Sequence, residues 1–430
     1  MKKKPVVSWM MYDWGNSAFA TTMMAAVLPV YYSDVAANGI PESLATSYWG
    51  YSQSIAVLIV AILSPVLGAI SDSAGSKKNF LRTFAYLGIL ASILLAFVGE
   101  GDYLLASLLM IIGTIGFSGG NVFYDAFLPE IAEGQNMDKI SSRGYAFGYI
   151  GGGILLAINL LMIQKPAWFG FPDTVSATQA TFVTVGIWWF IFSIPLFKNI
   201  KEEKKVQPKR EHSYVTIGFK RVAQSLTEIK KFKELFLFLI AFWLFNDGIS
   251  TIIKMATIYG SEIGIGTTDL ISALLITQFV GIPFAFFFGW LATKITPKKA
   301  LSLSLIIYTG IVILGFFMTT ALHFYILAIC VGFVQGGAQA LSRSIFGRMV
   351  PGNRHAEFFG FFGVSSKFAA MFGPFAFAFI GQITGSSRLG ILSLVFFFVV
   401  GFILLQLVDI EKGEKEAKEA TDPKDRVIIY

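Results

Sequence analysis

The chain has 430 residues, of which 55% are hydrophobic and only 14% are charged, and its mean hydropathy is +0.66. These values exclude a water-soluble globular protein of this size, because such proteins carry far more charge. They predict an integral membrane protein. The net charge of +7 is explained by basic loops at one membrane face, so nucleic acid is not expected as a partner.

The apolar residues are grouped into long stretches. A transmembrane helix needs about 20 apolar residues, whereas a barrel strand needs about 10 with alternating polarity. About twelve stretches of the longer kind occur, centred near residues 22, 59, 89, 115, 153, 188, 246, 280, 309, 335, 368 and 398. The sequence therefore predicts an all-α polytopic membrane protein with twelve transmembrane helices.

The loops between these stretches alternate in charge. By the positive-inside rule the basic loops are cytoplasmic, which predicts an even number of spans with both termini cytoplasmic. The basic loop residues outside the centre of the chain are Lys77, Lys78, Arg82, Lys139, Arg143, Lys294, Lys298, Lys299, Arg348 and Arg354.

Two charged segments divide the chain. Residues 198–233 are rich in Lys, and apolar residues at spacings of three and four predict an amphipathic helix between Val215 and Ile229 on the inner membrane surface. Residues 409–430 form a charged tail, expected to be disordered or a solvated helix. The predicted parts are an N-terminal six-helix half (1–197), this cytoplasmic linker (198–233), a C-terminal six-helix half (234–408) and the cytoplasmic tail (409–430).

The two halves show weak internal similarity. The segment GAISDSAGSKK (68–78) aligns with GWLATKITPKK (289–299) at an offset of 221 residues. The paired glycines 119–120 and 336–337 align at an offset of 217. Offsets of similar size in the same order predict two six-helix pseudo-repeats, as in many transporters.

One loop carries a specific resemblance. Gly68, Asp72, Gly75, Lys77 and Lys78, between the second and third spans, resemble the loop signature of the major facilitator superfamily. The resemblance implies a secondary transporter that alternates access between two six-helix halves. It also implies that Asp72 engages a helix of the other half when the cytoplasmic side is closed, and a helix N-terminus suits that contact.

Three further segments narrow the resemblance. YDWGNSAFATTM (12–23), GGAQALSRSIFGRMVP (336–351) and AEFFGFFGVSSKFAAMFGP (356–374) are similar to the autophagy-linked vacuolar effluxer family and its bacterial relatives. Fungal members of that family are associated with amino-acid efflux. The implied partners are a small-molecule substrate, protons and membrane lipids, and a monomer is the simplest expectation because one chain supplies both halves.

Polar residues inside spans are functional candidates by default. Asp247 and Lys367 lie deep in the seventh and eleventh spans, where a mutual pair or a substrate contact is expected, and Asp247 is the candidate proton carrier. Five amides are further candidates for the substrate or proton pathway, although each equally suits a bond between helices. They are Asn16, Asn121, Gln278, Gln335 and Gln339.

Three charged residues are candidates for an inner gate. Asp125 and Arg343 occupy nearly equivalent repeat positions, 218 residues apart, and an ion pair between them is predicted to close the cytoplasmic side. The alternative is that each pairs within its own half or extends to the interface. Asp13 either works at this mouth or caps the first helix.

Other function classes find little support in the sequence. The three histidines are far apart, no residues have metal-ligand spacing, and no phosphate-binding loop occurs, so neither catalytic residues, metals nor cofactors are expected. A receptor or lipid scramblase on a transporter fold remains the alternative from another class. An uptake carrier is the alternative within the transporter class.

Overall fold

The computed structural model describes residues 3–40, 42–132, 137–202, 231–352 and 354–420, and these residues form helices with no strand among them. The predicted amphipathic helix at 215–229 lies outside the described residues. Short helices occur at Leu28–Tyr31, Leu128–Ile131 and Ser387–Leu392. The longer α-helices are α1 Lys3–Ala18, α2 Glu42–Ala74, α3 Lys77–Leu94, α4 Tyr103–Ala126, α5 Met137–Gln164, α6 Thr174–Asn199, α7 Lys233–Glu262, α8 Thr267–Ile295, α9 Pro297–Phe316, α10 Ala321–Met349, α11 His355–Thr384, α12 Leu394–Leu407 and α13 Ile410–Glu419.

The predicted all-α membrane fold is confirmed. Within the described ranges, ten helical stretches are long and apolar enough to cross a membrane, namely those of α2 to α10 and Ser387–Leu407. The predicted span centred near residue 22 corresponds to α1 and the helical segments that follow it, and the span centred near residue 368 lies in α11. In α11 the apolar part is shorter, Phe372–Gly381.

The first predicted span is an interrupted helix. After α1 the chain continues as two π-helical segments, Phe19–Ala26 and Tyr32–Ala36. The N–H of Val27 donates to the carbonyl of Thr22 at 2.7 Å, five residues earlier. Such insertions in a helix are frequent at functional sites, and the first one begins three residues after Asn16.

The described contacts divide the chain into two compact units. Unit 1 comprises Met1–Ser64, Ser73–Asp125 and Phe147–Arg210, and unit 2 comprises Pro65–Asp72, Ala126–Ala146 and Glu211–Tyr430. Unit 2 thus includes a stretch near the end of α2 and the first ten residues of α5. The units follow compactness rather than the repeat, so the predicted boundaries of the two six-helix halves stay a prediction.

Each unit has an aromatic core. In unit 1, Trp9 stacks on Tyr124 with ring centroids 4.4 Å apart. In unit 2, Phe362 stacks on both Phe242 and Phe346, at 4.2 and 4.7 Å. Large rings bury much apolar area, and their stacked geometry adds to that stabilisation.

A lysine donates hydrogen bonds to carbonyls at the C-terminal end of the last helix of each repeat. In unit 1, Nζ of Lys78 donates to the carbonyl of Ile200, just after α6, at 2.9 Å. In unit 2, Nζ of Lys298 donates to the carbonyls of Gln406 and Val408 at the end of α12, at 2.9 and 2.7 Å. An ammonium group at a helix C-terminus satisfies free carbonyls and favours the helix dipole. The equal role of these lysines supports the repeat, at an offset of 220 residues.

The turn before each of these lysines contains a residue with positive φ, an unusual backbone conformation. Gly75 has φ +59°, which glycine adopts without strain. Thr296, at the corresponding position of the second repeat, has φ +104° and ψ +147°. That region is essentially restricted to glycine and costs a β-branched residue about 1–3 kcal/mol.

Replacing Thr296 by Gly should therefore stabilise the protein. The side chain of Thr296 also caps α9, accepting from the N–H of Lys299 at 3.3 Å, but a Gly cap costs only a few tenths of a kcal/mol. We expect Thr296→Gly to raise the free energy of unfolding by about 1 kcal/mol, measured by thermal unfolding in detergent. The matched change Gly75→Thr should lower it by a similar amount, about 1–2 kcal/mol. A lower stability of Thr296→Gly would contradict the strain.

Candidate functional site

The first candidate site lies in unit 1, where two amides meet. Asn16 of α1 is 2% exposed, and its Nδ2 donates to Oδ1 of Asn121 in α4 at 2.7 Å. The structure thus brings together two residues of the predicted pathway that are 105 positions apart. Asn121 remains half-buried, so this pair is not fully enclosed.

Asp13 lies one turn from Asn16 on the same helix. Its carboxylate accepts a hydrogen bond from the hydroxyl of Tyr124 at 3.2 Å and one from Ser17 at 3.4 Å. Because α1 begins at Lys3, Asp13 is nearly three turns inside the helix. The interpretation as a helix cap is therefore wrong, and Asp13 belongs to the polar face that α1 turns toward α4 and α5.

The glycines of α5 allow this close packing. A Cβ on Gly148 would lie 2.6 Å from Oγ of Ser17, and one on Gly151 would meet the carbonyl oxygen of Trp14. Gly151 and Gly152 of the GGG segment thus serve the approach of two helices, whereas a Cβ on Gly153 would meet nothing within 4 Å.

The second candidate site lies in unit 2 around Asp247. Its side chain is 2% exposed, and Oδ1 accepts a hydrogen bond from the backbone N–H of Gly373 in α11 at 2.9 Å. The hydroxyl of Thr251 donates to the carbonyl of Asp247 at 2.7 Å. A side chain at position 373 would strike both Thr251 and Asp247, so glycine is required for the contact.

A proline, Pro374, follows the donor Gly373 inside α11. Proline has no N–H and its ring opposes the regular helix bonds of the preceding turn. The backbone of α11 is thus weakened where Gly373 donates to Asp247. The other predicted partner, Lys367, lies in α11, but its side chain is outside the described residues, so the Asp247–Lys367 pair stays a prediction.

Two of the predicted glutamines share a cavity. Gln278 of α8 and Gln335 of α10 line a cavity of about 120 Å³ within unit 2, whose other walls are mainly apolar. The third, Gln339, is half-buried one turn further along α10. Their roles as substrate contacts or helix-bridging groups stay predictions.

Gly68 and Asp72 of the loop signature form a third site, also in unit 2. A Cβ on Gly68 would collide with the carbonyl of Ala356, so glycine lets α2 approach the start of α11. One turn later, Oδ2 of Asp72 accepts from the N–H of Glu357 at 2.9 Å. Glu357 is the third residue of α11, where free N–H groups and the helix dipole attract a carboxylate. The spacing of four residues between Gly68 and Asp72 therefore places both on one face toward α11.

The start of α5 carries a buried ion pair at the same end of unit 2. Asp138, 2% exposed, pairs with Arg348 near the end of α10. Its second oxygen accepts from the hydroxyl of Ser344 at 2.5 Å. Arg348 is half-buried and also reaches Glu414 of α13, at 3.5 Å.

Arg343 is held beside this pair. Its Nε donates to Oγ of Ser141 at 3.0 Å, and its terminal nitrogen donates to the Ser141 carbonyl at 2.9 Å. The guanidinium lies 4.4 Å from the centre of the Tyr145 ring, a favourable cation–π geometry. Asp125 is half-buried in α4 of unit 1, and its predicted pair with Arg343 stays a prediction.

We call these groups the signature-end network. It links α5 and α2 to α10 and α11, and its members are Asp72, Asp138, Ser141, Arg343, Ser344, Arg348 and Glu357. Sequence reasoning identified Asp72 and Arg343. It missed the others because Arg348 counted only as a loop charge, and Asp138 stands among the basic residues of its loop. An acidic residue in a basic loop was the available signal.

No cluster of three or more metal-ligating side chains occurs in the ranges that the structure describes. His355, the first residue of α11, has its Nδ1 3.5 Å from a carboxylate oxygen of Glu130.

Comparison with known proteins identifies the family of the chain. The family model described as "Vacuole effluxer Atg22 like" matches residues 1–418. The chain is similar to "Uncharacterized MFS-type transporter YxiO" of Bacillus subtilis (strain 168), with 40% identity over 418 residues covering 96% of this chain and 97% of that protein. It is 23% identical to "Autophagy-related protein 22" of Coccidioides immitis (strain RS), covering 98% of this chain and 89% of that protein.

Solved structures share the fold. The major facilitator superfamily transporter FucP in the outward conformation superposes with a TM-score of 0.72 at 14% identity, covering 95% of this chain and 98% of that chain. The proton:xylose symporter XylE gives a TM-score of 0.70 at 14% identity and covers 98% of both chains. At such low identity these likenesses establish the architecture alone.

Removing the acid of the buried pair should destabilise the protein. Asp138→Asn leaves Arg348 without its buried counter-charge, and breaking such a pair costs about 3 kcal/mol. We expect a lower midpoint of thermal unfolding in detergent, followed by tryptophan fluorescence. The double variant Asp138→Asn, Arg348→Gln should lose less than the sum of the single changes. Lys139→Gln, at the next position, is the control, and strict additivity would contradict the pair.

Exchanging two charges tests the predicted gate pair. Asp125→Arg or Arg343→Asp alone should impair transport, whereas the double exchange should restore part of it because opposite charges again face each other. Transport in proteoliposomes at equal protein content is the measurement. Failure of the double variant to exceed both single variants would refute the pair.

Proposed function

The chain belongs to the family of vacuole effluxer Atg22-like proteins, and from this premise we propose that it exports a small solute, an amino acid or related metabolite, in exchange for protons. The coarser function is established by family and fold, since the chain is a multi-pass membrane protein of the MFS transporter type. The solute, the direction and the coupling ion are the proposed part.

The observation that carries the proposal is the buried carboxylate of Asp247. It lies inside α7, 2% exposed, and bonds to a backbone N–H of α11. A charge without water is costly in the membrane, so such a group is neutralised or held by a partner. Protonation removes the charge and weakens the bond to Gly373, which frees α11 at its Pro374 position. Asp247 thereby couples proton occupancy to the shape of α11.

The amide pair Asn16–Asn121 supplies polar contacts for the solute. Their hydrogen bond uses one donor of Asn16 and the acceptor oxygen of Asn121. Each amide retains further hydrogen-bonding capacity. A solute with an amino and a carboxyl group matches that mixture of donors and acceptors. The π-helical segment after α1 gives this helix the freedom to adjust to such a solute.

The signature-end network acts as the gate of alternating access. Its contacts join α2 and α5 of the N-terminal half to α10 and α11 of the C-terminal half, and they must break when this end opens. From the positive-inside rule we infer that this end and both termini lie at the cytoplasmic face of a bacterial inner membrane. The gate is therefore a cytoplasmic one.

Reconstitution tests the proposed function directly. Purified protein in liposomes with an imposed pH gradient is offered a mixed pool of labelled amino acids, peptides and lipids. We expect selective, gradient-driven movement of an amino acid or related metabolite. Lipid movement would favour a scramblase, and binding without movement would favour a receptor.

Asp247→Asn separates coupling from transport in the same assay. Asparagine keeps the size of the side chain and cannot lose a proton, so proton-driven accumulation should fall at least about tenfold while solute exchange is retained. Asp269→Asn at the start of α8, whose carboxylate accepts from Tyr325 at 2.7 Å, is the matched control. An unchanged pH dependence in Asp247→Asn would remove Asp247 from the coupling.

A further inference from the structure

The charged tail contains a docked helix. Of the two alternatives expected for the tail, residues 410–419 form the helix, which is largely exposed, but one face of this helix, α13, is buried against the protein. Gly413 and Ala417 are one turn apart on this face, and both are buried. A Cβ on Gly413 would lie 2.6 Å from Sδ of Met349 and 3.2 Å from Cβ of Glu234. Small residues thus bring α13 close to the end of α10 and the start of α7.

The start of α13 is fixed by three hydrogen bonds. Asp409 caps the helix, its Oδ1 accepting from the N–H of Lys412 at 3.0 Å. The Glu234 carboxylate accepts from the N–H of Asp409 and from Nζ of Lys412, both at 2.8 Å. This hydrogen bond to Glu234 raises the pKa of Lys412. Because the pKa of Lys412 is raised, its contribution to stability is present below the ordinary pKa of lysine, as long as Glu234 is ionised, and is lost as pH rises through the raised value. This contact therefore does not respond to physiological pH.

The middle of α13 reaches the signature-end network. Arg348 donates from one terminal nitrogen to Asp138 and from the other to Glu414 of α13, the latter at 3.5 Å. The same guanidinium therefore serves the contact between α5 and α10 and the contact with the tail. Displacing α13 would remove one of the two carboxylates that orient Arg348 and expose Met349 beside it.

We propose that α13 is a built-in latch that favours the closed state of the signature end. Docked α13 holds Arg348 toward Asp138 and covers the end of α10, and its release favours opening. The latch rests on the alternating access of the proposed function, but not on the solute or on proton coupling. It makes the tail a regulator of the conformational equilibrium.

Labelling of a single buried cysteine measures that equilibrium without any solute. Cys330 is the one cysteine of the chain, and Cys330→Ser provides the background. Ser142 is 1% exposed and faces Gly289 of α8. A Cβ on Gly289 would lie 2.6 Å from the Cβ of Ser142. Ser142→Cys therefore reacts with a maleimide only when the signature end opens.

Two tail variants test the latch in the full-length protein. Gly413→Leu forces α13 from its seat and should speed labelling of Ser142→Cys on the order of tenfold, whereas Glu414→Lys removes one contact of Arg348 and should speed it about two- to fivefold. Lys415→Glu is the matched control, because the Lys415 side chain is 78% exposed and faces away from the protein. Its labelling rate should equal that of the parent.

A second reporter distinguishes opening from unfolding. Ser304 is fully buried within α9, so Ser304→Cys should stay protected in all tail variants. Acceleration at position 142 alone supports the latch. No acceleration there, or an equal acceleration at both positions, overturns it. Faster labelling in the tail variants without solute movement in liposomes would support the latch and refute the proposed solute transport. Solute movement without any change of labelling would support transport and refute the latch.

Discussion

Water is absent from the hydrocarbon core, so a polar group inside a membrane-spanning helix must find its partner within the protein. The candidate sites are direct consequences of this constraint. Asn16 pairs with Asn121, and Asp247 accepts from the backbone of Gly373. A transporter must exchange such partners during its cycle. The residues held by one strong but replaceable contact are therefore the ones on which a conformational change can act.

Glycine determines where these contacts can form. A carboxylate reaches a backbone N–H only when two helices approach more closely than side chains ordinarily allow. Gly68 permits this approach for Asp72, and Gly373 is itself the donor for Asp247. The combination of a small residue and a nearby acid on one helix face is thus a geometric unit. It explains why the glycine and the acid of the loop signature are spaced by one helical turn.

Sequence reasoning predicted the features that depend on local pattern. Apolar stretches identify the membrane helices, and the loop around Gly68 and Asp72 identifies the superfamily, because both signals lie within short segments. The partners of Asp138 and Arg348 were missed because they are 210 residues apart and neither has a local pattern that specifies the other. The first π-helical segment after α1 contacts α5, where Thr21 donates to the carbonyl of Gly152, and no helix propensity encodes such a segment. The docking of α13 did have a signal, since Gly413 and Ala417 form a small face at helical spacing within a charged segment.

The loops of the two repeats make similar lysine and glycine contacts but differ in their acidic contact. Lys78 and Lys298 close the last helix of their repeats in the same way, and Gly68 and Gly289 both allow close helix contacts, with α11 and α5 respectively. The acid differs. Asp72 binds the start of α11 directly, whereas Thr293 in the second loop donates to the carbonyl of Trp290 within its own helix.

The second contact obtains its negative charge from α5 instead. Asp138 is the second residue of α5 and binds Arg348 of α10, so the carboxylate there belongs to the receiving helix and not to the loop. One contact is a charge on a helix dipole and the other is a full ion pair that a third group, Glu414, also shares. The guanidinium of Arg348 has two terminal nitrogens and contacts two carboxylates, Asp138 and Glu414, at the same time, whereas the N–H of Glu357 is a single donor that Asp72 occupies. In the proposed gate, this asymmetry between the repeats favours Arg348, next to the tail, as the point of regulation, with the Asp72 contact as the constant part.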